Sequence, residues 1–228
     1  MNKKIDTRKL TVLATLSAIA FLLALLFHYL AIPLVPAAPF LRFEPKDVVI
    51  TIAGFIYGPL AVIPMALVVG LLEMPFSATW IYGLIMNVAS TCAFACTASF
   101  IYKRRRTLGG AAVGLAAGTI AVILVMIPLN YLITPFFMGV PRSVVVGILV
   151  MGIGLFNFIK YAIVAAITMQ LYIPLKKALV KAKLLPEEED SVEKVKQVKL
   201  GSIVVSVIVI LICIIGIAYL NGFCFAFG

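Results

Sequence analysis

The 228-residue chain is 64% hydrophobic and 12% charged, and its mean hydropathy is +1.18. A soluble domain of this length cannot bury so much apolar surface, and the apolar runs lack the alternation of a membrane β-barrel. The composition therefore predicts an all-α polytopic membrane protein. The net charge of +10 lies in clusters beside apolar runs, which indicates cytoplasmic loops of a membrane protein rather than a nucleic-acid-binding face.

The first half of the chain predicts four spans. The first covers residues 10–32 and enters from the cytoplasm, because lysines and arginines precede it. A proline-rich outside segment follows at residues 33–47. The runs "VVITIAGFIYG" and "PLAVIPMALVVGLLE" predict two short helices, spans two and three, that meet at Gly58-Pro59. After an outside segment at residues 74–80, span four covers residues 81–102 and ends on an arginine cluster.

Two more spans are predicted before the charged segment near the C-terminus. Span five, at residues 109–133, carries Gly110, Gly114 and Gly118 at a spacing that allows another helix to approach closely. The segment "TPFFMGVPR" is predicted as an outside loop. The apolar run at residues 143–175 is too long for one perpendicular span, so a break is expected at its glycines, with span six starting near Gly154.

The C-terminal part of the chain is predicted to lie outside the six-helix bundle. Residues 1–183 form the transmembrane domain, and residues 184–200 form a charged cytoplasmic linker without an apolar face. Residues 201–228 contain a further apolar run, Ser202 to Leu220, which predicts a seventh transmembrane helix and a short tail.

Polar side chains within the spans indicate a binding site. Asn157 and Lys160 lie three residues apart, on one face of span six. Lys160 would lie about 9 Å below the outer end of that helix, and a charge at such depth is costly and typical of functional sites. The other ionisable residues away from the cytoplasmic clusters fall in or beside outside segments. Asn130, near the outer end of span five, could add a third polar group.

Aromatic residues at similar depth suggest the class of ligand. Phe43, Trp80 and Tyr82 could stack on a flat heteroaromatic molecule while the polar groups hydrogen-bond to it. The alternative is that Lys160 snorkels to the interface and the aromatic residues form an interfacial belt. The sequence has no phosphate-binding loop and no HExxH or Ser-His constellation, which favours a non-enzymatic protein that binds no cofactor or metal.

Several stretches resemble the substrate-binding S components of energy-coupling-factor (ECF) vitamin transporters. The run "FLRFEPKDVVITIAGFIYGPLA" is similar to their outside loop and second span. "IPLNYLITPFFMGVPRSVV" and "LFNFIKYAI" are similar to the riboflavin-specific members, and the similarity covers residues 8–178. The resemblance implies a six-helix S-component bundle in the bacterial plasma membrane, with its N-terminus in the cytoplasm. Riboflavin would be bound as substrate and delivered through a membrane scaffold subunit and two ATPase subunits.

The resemblance also implies roles for individual residues. In the family, an Asn and a Lys of the sixth helix contact the flavin, which corresponds to Asn157 and Lys160 here. A small-residue motif on the first helix contacts the scaffold subunit, and it corresponds to Ala14 and Ala18; with Ser17, these residues also form a face suited to close helix approach. The chain departs from the family at Leu155, where a proline is usual, and in its additional C-terminal segment.

Three other interpretations remain open at this point. The chain could be an S component for another small heterocyclic vitamin, because the sequence alone does not place the pocket side chains. It could be a non-transporting membrane scaffold protein. A stand-alone ion-coupled carrier would transport its solute without an ATPase partner. Binding of a flavin separates the first two of these from the riboflavin-specific S component.

Overall fold

The computed structural model describes residues 7–32, 34–35, 41–77, 79–182 and 211. These residues contain seven α-helices, a 3-10 turn before α4 and a π-helical segment between α6 and α7. The helices are α1 (Thr7–Leu30), α2 (Lys46–Tyr57), α3 (Pro59–Glu73), α4 (Trp80–Arg105), α5 (Leu108–Met138), α6 (Arg142–Ile148) and α7 (Leu155–Lys181). The predicted all-α class is confirmed.

Five helical segments in the described part of the chain are long and apolar enough to cross a bilayer. Together with the shorter α2 they make up the six-helix bundle that was predicted from the sequence. The outer surface of these segments exposes large apolar side chains, such as Leu60, Leu124 and Phe136, as expected where helices face lipid. The five segments are Thr7–Leu30, Pro59–Phe76, Trp80–Arg105, Leu108–Met138 and Arg142–Lys181.

The short helix α2 lies in the interior of the bundle. Its 12 residues extend about 18 Å, which is less than the hydrocarbon thickness of about 30 Å. It packs against α1, α3, α4 and α7, and ten of its residues are buried. Because α2 is enclosed by other helices, polar side chains at its start are kept away from lipid and can contact several neighbours.

A glycine-proline hinge connects α2 to α3, as predicted. Gly58 has a φ of +91°, a conformation that other residues rarely adopt. Its N–H donates to the carbonyl oxygen of Gly54 at 2.7 Å, which closes α2. Pro59 then occupies the first position of α3, where its missing N–H costs nothing.

Two glycines allow α5 to approach α4 closely. This confirms the prediction that the glycines spaced four residues apart allow close approach of another helix. A Cβ atom added at Gly114 would lie 2.7 Å from the carbonyl oxygen of Ala98. One added at Gly118 would lie 2.7 Å from the carbonyl oxygen of Phe94. The backbones of α4 and α5 therefore meet at a distance that leaves no room for a side chain at these positions.

The end of α5 differs from the prediction. The residues "TPFFM" were assigned to an outside loop, but they continue the helix to Met138. Pro135 does not end the helix, since transmembrane helices tolerate proline where neighbouring groups satisfy the freed backbone. The helix ends at Gly139, whose left-handed φ of +65° is typical of a C-terminal cap.

The long apolar run near residue 150 is interrupted as predicted. The short helix α6 leads into a π-helical segment, Leu149–Gly154, and α7 begins at Leu155. Leu155, the position at which the resemblance leads to the expectation of a proline, therefore opens α7. The predicted linker at residues 184–200 and the predicted seventh helix lie outside the described residues, apart from Leu211.

Candidate functional site

Charged side chains lie buried or half-buried at one end of the bundle, where α1, α3 and α5 end and α2, α4 and α7 begin. Three carboxylates and two ammonium groups lie there, so the sum of their formal charges is negative. The opposite end of the bundle carries the exposed basic residues at the end of α4. We call the five residues the ion cluster: Glu44, Lys46, Asp47, Glu73 and Lys160.

Lys160 is paired with Asp47. The Nζ of Lys160 lies 3.1 Å from Oδ2 of Asp47, and the two side chains are 6% and 0% exposed. Thr91, on α4, donates its hydroxyl hydrogen to Oδ1 of Asp47 at 2.6 Å. A single carboxylate thus links α2, α4 and α7.

Lys46 neighbours Asp47 in sequence but has other partners. Its ammonium lies 2.9 Å from Oε2 of Glu44 and also contacts Oε2 of Glu73. Asn87 donates to the same Glu73 oxygen at 3.3 Å. Burial alone would raise the pKa of the Glu44 carboxyl, but the ammonium groups of Lys46 and Lys160 outweigh burial and lower that pKa. Glu44 therefore stays ionised at neutral pH and can balance Lys46.

This pairing corrects the sequence-based view of Lys160 as an isolated buried cation without an acidic partner in the spans. Asp47 was placed at the end of an outside segment, but it belongs to the first turn of α2 and is fully buried. The sequence signal was the Lys46-Asp47 pair directly before the apolar run of α2. Only the inward position of α2 shows which cation Asp47 meets.

Two buried asparagines lie on α5 and α7. The side-chain amide of Asn130 donates to the carbonyl oxygen of Met126 at 2.8 Å, and its Oδ1 accepts from Thr134 at 3.0 Å. Asn157 donates to the carbonyl oxygen of Ile153 at 2.8 Å. An amide nitrogen carries two hydrogens, so each asparagine keeps a second donor while the first bond fixes its rotamer.

The three aromatic candidates have different surroundings. Phe43 is buried and packs edge-to-face against Phe27, with ring centroids 5.7 Å apart. Trp80 and Tyr82, at the start of α4, are 63% and 37% exposed. The structure therefore places Phe43 in the packed interior and leaves Trp80 and Tyr82 at the surface of this end of the bundle.

A polar pocket opens beside the ion cluster, between α1, α3 and α4. Glu44, Glu73 and Asn87 line it together with His28. Its lining does not include Asn130, Asn157 or Lys160. Among the described residues, no group of three or more His, Cys, Asp or Glu side chains could hold a metal ion. The arrangement offers hydrogen bonds and charge to a ligand, without a nucleophile-base pair.

Ala14 and Ala18 are exposed on the surface of α1, in its half nearer the basic end of the bundle. Ser17, which the sequence grouped with them, is buried and does not share their exposure. The two alanines are therefore not used for packing within the bundle. They leave a shallow surface on which another helix could lie.

Comparisons with known proteins agree with this architecture. The family model described as "ECF transporter, substrate-specific component" matches residues 8–172. The chain is 34% identical over 174 residues to riboflavin transporter RibU of Staphylococcus aureus, covering 73% of this chain and 89% of that protein. It is 32% identical over 180 residues to riboflavin transporter FmnP of Bacillus subtilis, covering 74% of this chain and 92% of that protein.

A solved structure shares the fold. It is described as the S component of a bacterial ECF transporter, and it is 33% identical to this chain with a TM-score of 0.64. The similarity covers 76% of this chain and 98% of that chain. These relatives are components of membrane transporters and not enzymes. The chain belongs to the family of substrate-specific components of ECF transporters.

Proposed function

We propose that this chain is the riboflavin-binding subunit of an ECF-type importer in the bacterial plasma membrane. The observation that carries the proposal is the 34% identity to a riboflavin transporter over 89% of that protein's length. A second relative of similar identity is also a riboflavin transporter. Riboflavin is the substrate, and no additional cofactor is required.

The polar end of the bundle supplies groups that suit this ligand. Riboflavin is an uncharged flat heterocycle with carbonyl oxygens, ring nitrogens and a hydroxylated side chain. Lys160 and Asn157 on α7, with Asn130 on α5, would donate hydrogen bonds to such acceptors. All three side chains are at least nine-tenths buried, so a ligand without matching acceptors would leave their remaining N–H groups unsatisfied.

The aromatic residues would complete the site at the end of the bundle that faces the cell exterior. Phe43 would provide an apolar wall, since it is held against Phe27. The exposed rings of Trp80 and Tyr82 would cover the flavin as it enters, because aromatic faces stack on planar heterocycles. This role requires the start of α4 to close over the ligand.

The orientation of the protein follows from its basic residues. Lys103, Arg104 and Arg105 end α4, and Lys181 ends α7. Positive residues beside spans mark the cytoplasmic side, so the N-terminus would be cytoplasmic and the ion cluster would face the exterior. Residues 184–200 would then be a cytoplasmic linker, and residues 201–228 would cross the membrane once more.

Transport requires partners, since the sequence has no phosphate-binding loop of its own. A membrane scaffold subunit would dock on the exposed face of Ala14 and Ala18. Two ATPase subunits bound to that scaffold would supply the energy for release into the cytoplasm.

Substitution of the asparagines tests the site. Asn157→Ala and Asn130→Ala should each weaken riboflavin binding roughly 10- to 150-fold, because each removes a buried donor. Thr119→Ala is a matched control, since Thr119 also bonds to a carbonyl oxygen one turn earlier on α5. Quenching of riboflavin fluorescence by purified protein gives the affinity.

The possible outcomes test the position of the site and the identity of the substrate separately. Wild-type affinity in both asparagine variants would place the pocket elsewhere in the bundle. Binding of a different heterocyclic vitamin in place of riboflavin would leave the family membership intact and refute the substrate.

A further inference from the structure

The buried ammonium of Lys160 is held from behind by a carboxylate. Asp47 is 0% exposed, and its Oδ2 lies 3.1 Å from the Nζ of Lys160. Asp47 comes from α2, which packs against α7 within the bundle. A buried charge is tolerated only when it is paired. The position of the ammonium is therefore fixed by a residue of another helix.

The carboxylate is itself oriented by a hydroxyl group. Thr91 is 2% exposed, and its Oγ1 donates to Oδ1 of Asp47 at 2.6 Å. The second oxygen is thereby turned toward Lys160. Thr51 adds a hydrogen bond of 2.6 Å from its hydroxyl to the backbone oxygen of Asp47, which steadies the first turn of α2.

Neighbouring charges have their own partners. The ammonium of Lys46 contacts the carboxylates of Glu44 and Glu73, and these balance its charge instead of Asp47. The direct ion pairs of the ion cluster are thus Asp47–Lys160 on one side and Glu44–Lys46–Glu73 on the other, while the charge of Lys160 also acts on Glu44 at longer range. Removing the Asp47 charge would leave Lys160 without its nearest counterion.

The ion pair leaves Lys160 able to donate. Oδ2 of Asp47 lies 3.1 Å from the Nζ of Lys160, so one N–H of the ammonium can point at it. An ammonium has three N–H groups. Asp47 therefore occupies one of them and leaves the other two for a ligand.

We infer that Asp47 is a positioning residue, which, oriented by Thr91, fixes the charged amine of Lys160 for the ligand. The inference rests on the proposed riboflavin-binding function. It assigns Asp47 no contact with the ligand. The effect of Asp47 on binding should therefore depend on the presence of Lys160.

A double-mutant cycle with riboflavin as the probe tests this dependence. Affinity is measured by fluorescence quenching on the purified full-length wild type, Asp47→Asn, Lys160→Met and the double variant. Each single substitution should weaken binding roughly 10- to 150-fold. The double variant should bind within about twofold of Lys160→Met alone. Asp47 affects binding only through Lys160, so Asp47→Asn should have no further effect once Lys160 has been replaced.

A second pair of variants addresses Thr91 without changing a charge. Thr91→Val removes the hydroxyl that orients Asp47 and should weaken riboflavin binding, whereas Thr91→Ser keeps it and should bind as the wild type does. Thr168→Val is the matched control, since Thr168 is also buried but its hydroxyl donates to the backbone oxygen of Val164 and not to a charged side chain of the described residues. This pair remains informative if Asp47→Asn fails to fold.

The results separate the inference from the function on which it rests. Wild-type affinity in Asp47→Asn, or a further loss when Asp47→Asn is added to Lys160→Met, would overturn the role of Asp47 while riboflavin binding stands. Equal affinities of Thr91→Val and Thr91→Ser would overturn it as well. Absence of riboflavin binding by the wild type would overturn the proposed function and this role with it.

Discussion

Lys160 on α7 and Asp47 on α2 form an ion pair of 3.1 Å in which both side chains are shielded from solvent. The pair joins the two helices at the end of the bundle that carries the candidate site. Because of this pair, a substitution of Lys160 affects the stability of the protein as well as ligand binding. Removing the lysine alone would leave a buried carboxylate without its counterion, so lost binding and lost stability would occur together.

The pair predicts that the single and double variants differ in stability. Lys160→Met should destabilise the protein by about 3–5 kcal/mol, because it leaves the Asp47 charge uncompensated. The double variant Asp47→Asn/Lys160→Met should recover most of this loss, since it removes both charges of the pair. Thermal unfolding of the detergent-solubilised proteins measures the difference. A double variant less stable than the single one would contradict the prediction.

The contact of α4 with α5 predicts a second effect on stability. Gly118→Ala should destabilise the protein by about 1–3 kcal/mol, because the new methyl group would meet the Phe94 carbonyl oxygen. Gly109→Ala is the control, since nothing lies within 4 Å of an added Cβ there. The control should be neutral or slightly stabilising, because alanine favours helix over glycine. Similar unfolding temperatures for both variants would show that the helices can separate at no cost.

Much of the fold was predictable because membrane helices leave strong signals. The apolar runs, the Gly58-Pro59 hinge and the break before Leu155 all follow from local chemistry. The end of α5 was predicted at Ile133, but the helix runs on to Met138. In lipid, the need to satisfy backbone hydrogen bonds favours continuing a helix through proline.

The site was predictable only in part. Asn130, Asn157 and Lys160 were predicted as site residues because polar residues in spans are rare, and the structure shows that all three are buried. Asp47 was missed because its position in sequence, beside an outside segment, does not reveal that α2 lies inside the bundle. Which charges meet depends on helix packing, and one sequence does not specify that.

The exposed face of α1 predicts a separation of binding from transport. Ala14→Trp or Ala18→Trp should leave riboflavin affinity unchanged but reduce assembly with the scaffold subunit and uptake by cells, because a bulky side chain prevents close helix approach. Ile19→Trp, at another exposed position of α1, is the control. Co-purification of the subunits and uptake assays measure the effect. Normal assembly of both alanine variants would exclude this face as the docking surface.

The C-terminal segment should be dispensable for riboflavin capture. Truncation after Lys183 removes the charged linker and the proposed seventh helix, whose few small and polar residues are scattered, as in a helix that packs weakly on others. Affinity of the truncated protein should stay within a few-fold of the full chain. In the same proposal, a label at Gly228 is accessible from outside. Loss of binding on truncation would instead make this helix part of the bundle.

A titration of riboflavin into the purified, detergent-solubilised protein tests the central claim most directly. Fluorescence quenching should saturate at one riboflavin per protein, and the affinity should change only mildly with salt, because riboflavin carries no charge to be screened. Unquenched riboflavin fluorescence at micromolar protein would contradict the claim that this chain is a riboflavin-binding S component.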